Sequence, residues 1–252
     1  MTMRNRFSQA RILEVMVGVQ MGTYGKVPNE EGRPRPEHPV EPPRKANGEI
    51  DFDAWEQRLR DKGVRGLPDS ELMKKINEVR AGNPDSQAEL RTAERYADAG
   101  YEVEIMRPTA ETPKGEVAVI DEPLSPDFRI RLPGKPETAR VDVKFRESGK
   151  PITRNNLNTH LGHANRQIRS SKEGHGDIVF DASQAGPSGM NQTDIERYLN
   201  GKMTGNRSDP NARLSNVEHL EIIYSEGGQL KRSFILRTVD GEVNGPFTEV
   251  FR

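Results

Sequence analysis

Three charged residues near the middle of the chain have the types and spacing that phosphodiester chemistry needs. Asp142 and Lys144 lie two positions apart in residues 141–145, VDVKF, where apolar residues fill the alternating positions. Side chains two apart on a β-strand point to the same face, so this pattern predicts a strand that buries its apolar face and projects the acid and the amine together. Asp127 starts an earlier alternating segment, and pairing of the two strands would bring it close to Asp142.

Two carboxylates and an ammonium group at one place suit metal-dependent hydrolysis. Carboxylate oxygens bind hard divalent cations such as Mg²⁺ or Mn²⁺. A bound cation lowers the pKa of a water molecule and stabilises the charge that develops on the phosphate. The amine can orient or deprotonate that water, or contact the phosphate. Two other interpretations stay open: Asp142 and Lys144 can be an ordinary solvent-facing strand pair, and Asp127 can simply start a turn after Pro126.

The segments around these acids predict alternating helices and strands. Helical spacing of apolar residues or period-two alternation marks each of them. The predicted helices cover about residues 85–99, 157–169 and 193–199, and the predicted strands cover 101–106, 117–120, 128–132, 141–145, 177–182, 219–224 and 230–239. This order favours an α/β fold with a central mixed β-sheet flanked by helices.

The first third of the chain has a different composition. Residues 27–48 are dense in Pro, Glu and Arg, so they cannot bury enough apolar surface to offset the entropy of ordering and are predicted to be a flexible linker. We therefore expect an N-terminal appendage and linker over 1–48, a small helical segment over 49–82 with Trp55 in its core, and a catalytic domain over 83–252.

The motif around the acids resembles that of the PD-(D/E)XK nuclease superfamily. Pro126-Asp127 followed by Asp142-Val143-Lys144 matches its signature. The phrases ELRTAERYADAGYEV at 89–103 and SPDFRI at 125–130 are similar to the C-terminal nuclease domains of contact-dependent growth inhibition toxins, several of which cleave transfer RNA. The resemblance covers roughly residues 86–182 and implies a restriction-endonuclease-like core.

The resemblance also implies roles for individual residues. In that superfamily a helix before the first core strand often carries a further acid, which here is Glu89 or Glu94, and we favour Glu89. Glu89, Asp127 and Asp142 would then hold one or two divalent metal ions, Mg²⁺, Mn²⁺ or Zn²⁺. Lys144 would orient the attacking water.

The helix after the Asp-x-Lys strand is rich in polar side chains. We expect Arg166, Gln167 and Arg169 to contact phosphates beside the active site, and a merely solvated helix face is the open alternative. His160 and His163 have the i, i+3 spacing of a metal-binding pair, but no acidic third ligand lies near them in the sequence.

Composition limits the possible classes of protein. The formal net charge is −1, so any basic nucleic-acid-binding surface must be local. The absence of cysteine excludes disulfides and thiolate metal sites. No apolar run approaches the length of about 18 residues that a transmembrane helix needs, and no signal peptide is recognisable. Phosphate loops, zinc-finger spacing and dinucleotide fingerprints are also absent from the sequence.

These observations predict a metal-dependent endonuclease, and the resemblance implies RNA, in particular transfer RNA, as the favoured substrate. The resemblance implies a bacterial toxin that is secreted or delivered to the cytoplasm of a target cell, together with a cognate immunity protein that blocks it. Two other classes stay open. One is a DNA endonuclease of restriction or repair type that uses the same residues, and the other is a non-catalytic binding module of a phage or secretion assembly.

Overall fold

The computed structural model describes residues 36, 40–106, 126–132, 134–186, 189–205, 214–238 and 240–251. The strand predicted at 117–120 and most of the N-terminal appendage, residues 1–35, lie outside these ranges. None of the helices within the described ranges combines the length and the apolar character that crossing a bilayer requires.

The described part of the chain contains five helices and eight strands. The helices are α1 (Phe52–Asp61), α2 (Ser70–Arg80), α3 (Pro84–Asp98), α4 (Arg154–Ser170) and α5 (Gln192–Thr204). The strands are β1 (Val64–Leu67), β2 (Glu102–Met106), β3 (Phe128–Arg131), β4 (Thr138–Phe145), β5 (Gly176–Ala182), β6 (Val217–Glu226), β7 (Gln229–Arg237) and β8 (Val243–Val250). The predicted α/β class with a mixed sheet flanked by helices is confirmed.

The strands form one sheet in the order β1 to β8, so each strand lies beside its neighbour in sequence. Pairing is parallel between β1 and β2 and along β4, β5 and β6, and antiparallel elsewhere. The parallel step from β4 to β5 passes through α4, because a parallel connection needs a crossover longer than a tight turn. Strands β1 and β8 do not appear among the predicted elements.

The sheet separates two apolar clusters. On one face α1, α2 and α3 pack around Trp55 and Tyr96 against β4, and on the other face α4 and α5 pack against β5 and β6. Strand β5 shows why both layers are needed: Val179 belongs to the first cluster, whereas Ile178 and Phe180 belong to the second. A strand buried on both faces reads as a continuous apolar run, as this one does.

Helix α3 is fixed at both ends. Its N-cap is Asn83, whose side-chain oxygen accepts hydrogen bonds from the backbone N–H groups of Asp85 and Ser86. Gly100 follows its end with φ +93°, a left-handed conformation that glycine adopts without a Cβ penalty. These caps and the contacts of α3 with β2 and β4 hold the acids of the helix in place.

Residues of the predicted helical segment and of the predicted linker contact the same core. Helices α1 and α2 bury their apolar faces in the first cluster, and β1 adds a strand to the sheet. Within the predicted linker, the Val40 carbonyl accepts a hydrogen bond from Arg91 Nε at 3.1 Å. The Pro36 carbonyl accepts hydrogen bonds from both Arg95 and Arg232, which connects this segment to α3 and to β7.

Candidate active site

The sheet forks where β3 and β4 separate. Their pairing starts at Phe128↔Val141, whereas β4 runs on to Phe145. In the part of the chain that the structure describes, no strand pairs with β4 on that side beyond the fork. The carboxylate of Asp127, the residue just before β3, fills the gap and accepts a 2.6 Å hydrogen bond from the backbone N–H of Val143. Pairing of the two strands therefore brings Asp127 to β4.

Asp142 and Lys144 project together from β4 beside this fork. Asp142 is fully buried and the Lys144 side chain is 18% exposed, so the pair is not the solvent-facing one of the alternative interpretation. Lys144 Nζ lies 2.6 Å from Asp142 Oδ1 and donates a 2.8 Å hydrogen bond to Gln167 Oε1 on α4. The ammonium group is thus held between a carboxylate and an amide oxygen.

Of the two helix acids, Glu89 faces this site and Glu94 does not. Glu89 is buried and interacts electrostatically with Asp127 and Lys144. Glu94 is fully buried among residues of α1 and its C-terminal flank. It accepts a 2.9 Å hydrogen bond from Trp55 Nε1 and a 2.7 Å one from Lys62 Nζ. The geometry therefore assigns Glu89 to the site and gives Glu94 a structural role.

The buried acids of the site are poorly compensated. Burial raises the pKa of the Asp142 carboxyl to about 7, although Lys144 acts in the opposite direction. Burial, reinforced by the charge of Asp127, raises the pKa of the Glu89 carboxyl to about 8, against the effect of Lys75. Desolvation penalises the charged form of a carboxyl group, and a nearby cation relieves that penalty.

The lysine of the motif stays charged. Burial alone would lower the pKa of the Lys144 ammonium group, but the charges of Asp142 and Asp127 raise it above its ordinary value. A protonated lysine has no lone pair with which to accept a proton. Lys144 is therefore suited to orienting a water molecule or stabilising phosphate charge rather than to deprotonating the water.

Three residues that the sequence did not assign to the site border it. Lys75 of α2 lies 2.5 Å from Glu89 Oε2. Asp85 is one turn before Glu89 on α3, and its pKa is raised by burial and then by the charge of Asp127. His160 of α4 packs on Phe180, with ring centroids 5.5 Å apart, and its pKa is lowered by burial and then by Lys144. The i, i+4 spacing of Asp85 and Glu89 is a signal that could have revealed the acid.

Helix α4 brings one of its three predicted phosphate-contacting residues into the site. Gln167 holds Lys144, whereas Arg166 and Arg169 are exposed. A helix turns about 100° per residue, which points Arg166 about 100° and Arg169 about 160° away from Gln167. Arg166 is therefore the better placed of the two arginines to reach a substrate that lies over Lys144.

The donor set fits a hard divalent cation. Neither Asp142 oxygen nor Glu89 Oε2 receives a hydrogen bond of good geometry, although a lysine ammonium lies close to each side chain. Buried carboxylate oxygens with free lone pairs are the ligands that Mg²⁺ and Mn²⁺ prefer. Among the described residues, no three His, Asp or Glu side chains are already gathered as a metal-binding group, so binding requires a rearrangement of these side chains.

Fold and site together define an α/β protein whose mixed sheet forks at a cluster of three acids and two lysines, of which Glu89 and Asp142 are buried. No protein-family model, curated protein or solved structure matches the chain. The interpretation of the site therefore rests on its geometry and on the motif in the sequence.

Proposed function

We propose that the protein is a metal-dependent endonuclease that hydrolyses phosphodiester bonds at the fork between β3 and β4. One observation carries this proposal: the fully buried Asp142 and the partly buried Lys144 lie side by side at the fork. Asp127 is hydrogen-bonded to the same strand, and Glu89 faces the pair from α3. Incompletely compensated acids beside a charged lysine are costly to bury, and such arrangements are enriched at functional sites.

In this proposal each residue of the chain has a defined task. Asp127, Asp142 and Glu89 hold one or two divalent ions, Mg²⁺, Mn²⁺ or Zn²⁺, and the bound ion supplies Lewis acidity toward water and phosphate. Lys144, kept charged by its acidic neighbours, orients the attacking water and faces the charge that develops on the phosphate. Gln167 fixes the Lys144 ammonium at 2.8 Å.

The favoured substrate is RNA, and transfer RNA in particular. Support comes from the resemblance of residues 86–182 to toxin nuclease domains and from exposed cationic residues, Arg166 and Arg169, on the helix that carries Gln167. The same resemblance supports a bacterial toxin that is secreted or delivered to the cytoplasm of a target cell. It also supports a cognate immunity protein that blocks the cleft.

A cleavage panel tests the proposal. The purified chain is incubated with transfer RNA, total RNA and plasmid DNA in the presence of Mg²⁺, Mn²⁺ or Zn²⁺, with and without EDTA. We expect metal-dependent cleavage of RNA that falls about 10²- to 10³-fold in Asp142→Asn and Lys144→Met, because each change removes a preorganised charge. Lys150→Met is the matched control, since Lys150 is an exposed lysine outside the site.

The outcomes separate the three classes of protein. Cleavage of DNA alone identifies a DNA endonuclease that uses the same residues. If all substrates stay intact with every metal while the chain is folded, the nuclease proposal is wrong and a non-catalytic binding module remains. Full activity in both site variants would also contradict the assignment of the site.

A further inference from the structure

Helix α2 contributes a second lysine to the candidate active site. Lys75 Nζ lies 2.5 Å from Glu89 Oε2 and 3.4 Å from Glu78 Oε2. Its side chain is 14% exposed, so Lys75 is partly buried against α3. Lys75 lies before the segment that resembles known nucleases, and the motif therefore says nothing about it.

Lys75 places an ammonium group between the carboxylates of Glu89 and Glu78. Burial acts to lower the pKa of its ammonium group, but the charge of Glu89 and then that of Asp127 raise the pKa above its ordinary value. The same two acids border the site in which a divalent ion would be held. Lys75 thus occupies a place where a carboxylate pair would otherwise attract a metal ion.

Charge balance then limits how many metal ions the site can accept. When they are ionised, as metal ligands must be, Glu89, Asp127 and Asp142 bring three negative charges. Lys75 and Lys144 return two positive ones, so these five groups together keep one negative charge. A single divalent cation slightly overcompensates this charge. A second would have to displace Lys75 from Glu89 or be held close to two ammonium groups, which like-charge repulsion in a buried site disfavours.

We propose that Lys75 takes the place of a second metal ion: its ammonium group compensates and positions Glu89, while a single divalent ion is held by Asp127 and Asp142. This inference rests on the proposed function and specifies its metal requirement. Lys75 is in this sense a positioning residue, because it acts through Glu89.

Counting bound Mn²⁺ tests the inference without any substrate. Titration calorimetry and electron paramagnetic resonance of the full chain with Mn²⁺ should give one ion per chain for the wild type. Lys75→Met frees Glu89 and should raise the stoichiometry to two, whereas Lys75→Arg keeps the charge and should leave it at one. Lys74→Met is the matched control on the same helix, since Lys74 is half-exposed and lies 3.8 Å from Glu71 instead.

The possible ion counts separate the role of Lys75 from the proposed nuclease function. Two Mn²⁺ ions in the wild type, or one in Lys75→Met, would overturn the role of Lys75 while leaving metal-dependent cleavage intact. A wild type that binds no Mn²⁺ and cleaves nothing overturns the proposed function together with this inference. If Lys75→Met does not fold, the wild-type count and Lys75→Arg still decide, because two ions in either one contradict the proposal.

Discussion

Two fully buried carboxylates, Asp142 at the fork and Glu221 on β6, have pKa values that are shifted in opposite directions. Burial raises the pKa of Asp142 to about 7, because the single Lys144 does not offset the loss of solvation. Burial acts in the same direction on Glu221, but Arg95 and Arg232 outweigh it and lower the pKa of that carboxyl. Although the two acids are equally buried, Glu221 forms a structural ion pair, whereas Asp142 lacks enough positive charge around it and is suited to binding a cation.

Glu221 and the two arginines that compensate it, Arg95 and Arg232, form an ion-pair cluster with a structural role, which we call the closed cluster. Arg95 NH2 lies 2.7 Å from Glu221 Oε1, and His219 and Arg232 approach the same carboxylate. These ion pairs join α3 to β6 and β7. Within the described ranges, Glu221 Oε2 and both Asp142 oxygens lack a hydrogen-bond partner, so the difference lies in the number of cations. Two guanidinium groups face Glu221, whereas one ammonium group faces Asp142.

Breaking the closed cluster should give the largest effect. Arg95→Met leaves the fully buried Glu221 with weaker compensation, and removing one partner of a buried ion pair costs about 3–5 kcal/mol. Urea unfolding of the metal-free chain measures this loss. Arg169→Met, an exposed arginine on α4, should leave the free energy of unfolding unchanged. A loss below about 1 kcal/mol in Arg95→Met would mean that Arg232 alone compensates Glu221.

Two matched substitutions on one helix sharpen the comparison. Glu89→Gln should lower cleavage about 10²-fold, because an acid that faces the metal site is lost. At saturating Mn²⁺ its melting temperature should change little. Glu94→Gln should lower the free energy of unfolding by about 1–3 kcal/mol, because Trp55 and Lys62 lose a charged acceptor. Its cleavage rate per folded molecule should be unchanged. Reversed results would exchange the roles assigned to the two acids.

The comparison also predicts a pH dependence of the stability of the metal-free chain. The pKa of Glu89 is about 8 in the folded state against 4.5 as the reference value, so between these pH values the folded chain binds more protons than the unfolded one. The free energy of unfolding should therefore fall as pH rises through this window. Asp142 acts in the same direction between 3.8 and about 7.

The variant Glu89→Gln isolates this contribution, because His160, whose pKa is lowered, contributes in the opposite sense within part of the same window. The measurement is urea unfolding from about pH 5 to pH 8 for the wild type and the variant. The difference between them should grow with pH, and saturating Mn²⁺ should shrink it. A difference that is constant with pH would contradict the raised pKa of Glu89.

Short-range patterns were sufficient to predict the strand that carries the motif. The alternation at 141–145 placed Asp142 and Lys144 on one face of β4, and the preceding alternating segment placed Asp127 beside it. Helix α4 and the buried strand β5 followed from helical spacing and from a continuous apolar run. These predictions depend only on residues close in sequence, which the period of a helix or strand controls.

Long-range packing explains what the sequence did not predict. Glu89 and Glu94 are five positions apart, about 140° around the helix, so they lie on opposite flanks of the apolar stripe of α3. Which flank faces the fork depends on where α1 and α2 pack, and no local pattern encodes that. Lys75 was missed for the same reason. Strand β1 lies between two helices in only four residues, and β8 contains Gly245 and Pro246, which interrupt the expected alternation.

The Pro36 carbonyl sets a lower limit on how far the chain can be shortened. It accepts hydrogen bonds from Arg95 and Arg232, the two guanidinium groups that also surround Glu221. A fragment that begins at residue 49, where the helical segment was expected to start, would leave these donors without that acceptor in the protein interior. The smallest piece able to keep this architecture therefore begins at or before Pro36, well upstream of the motif that suggests its chemistry.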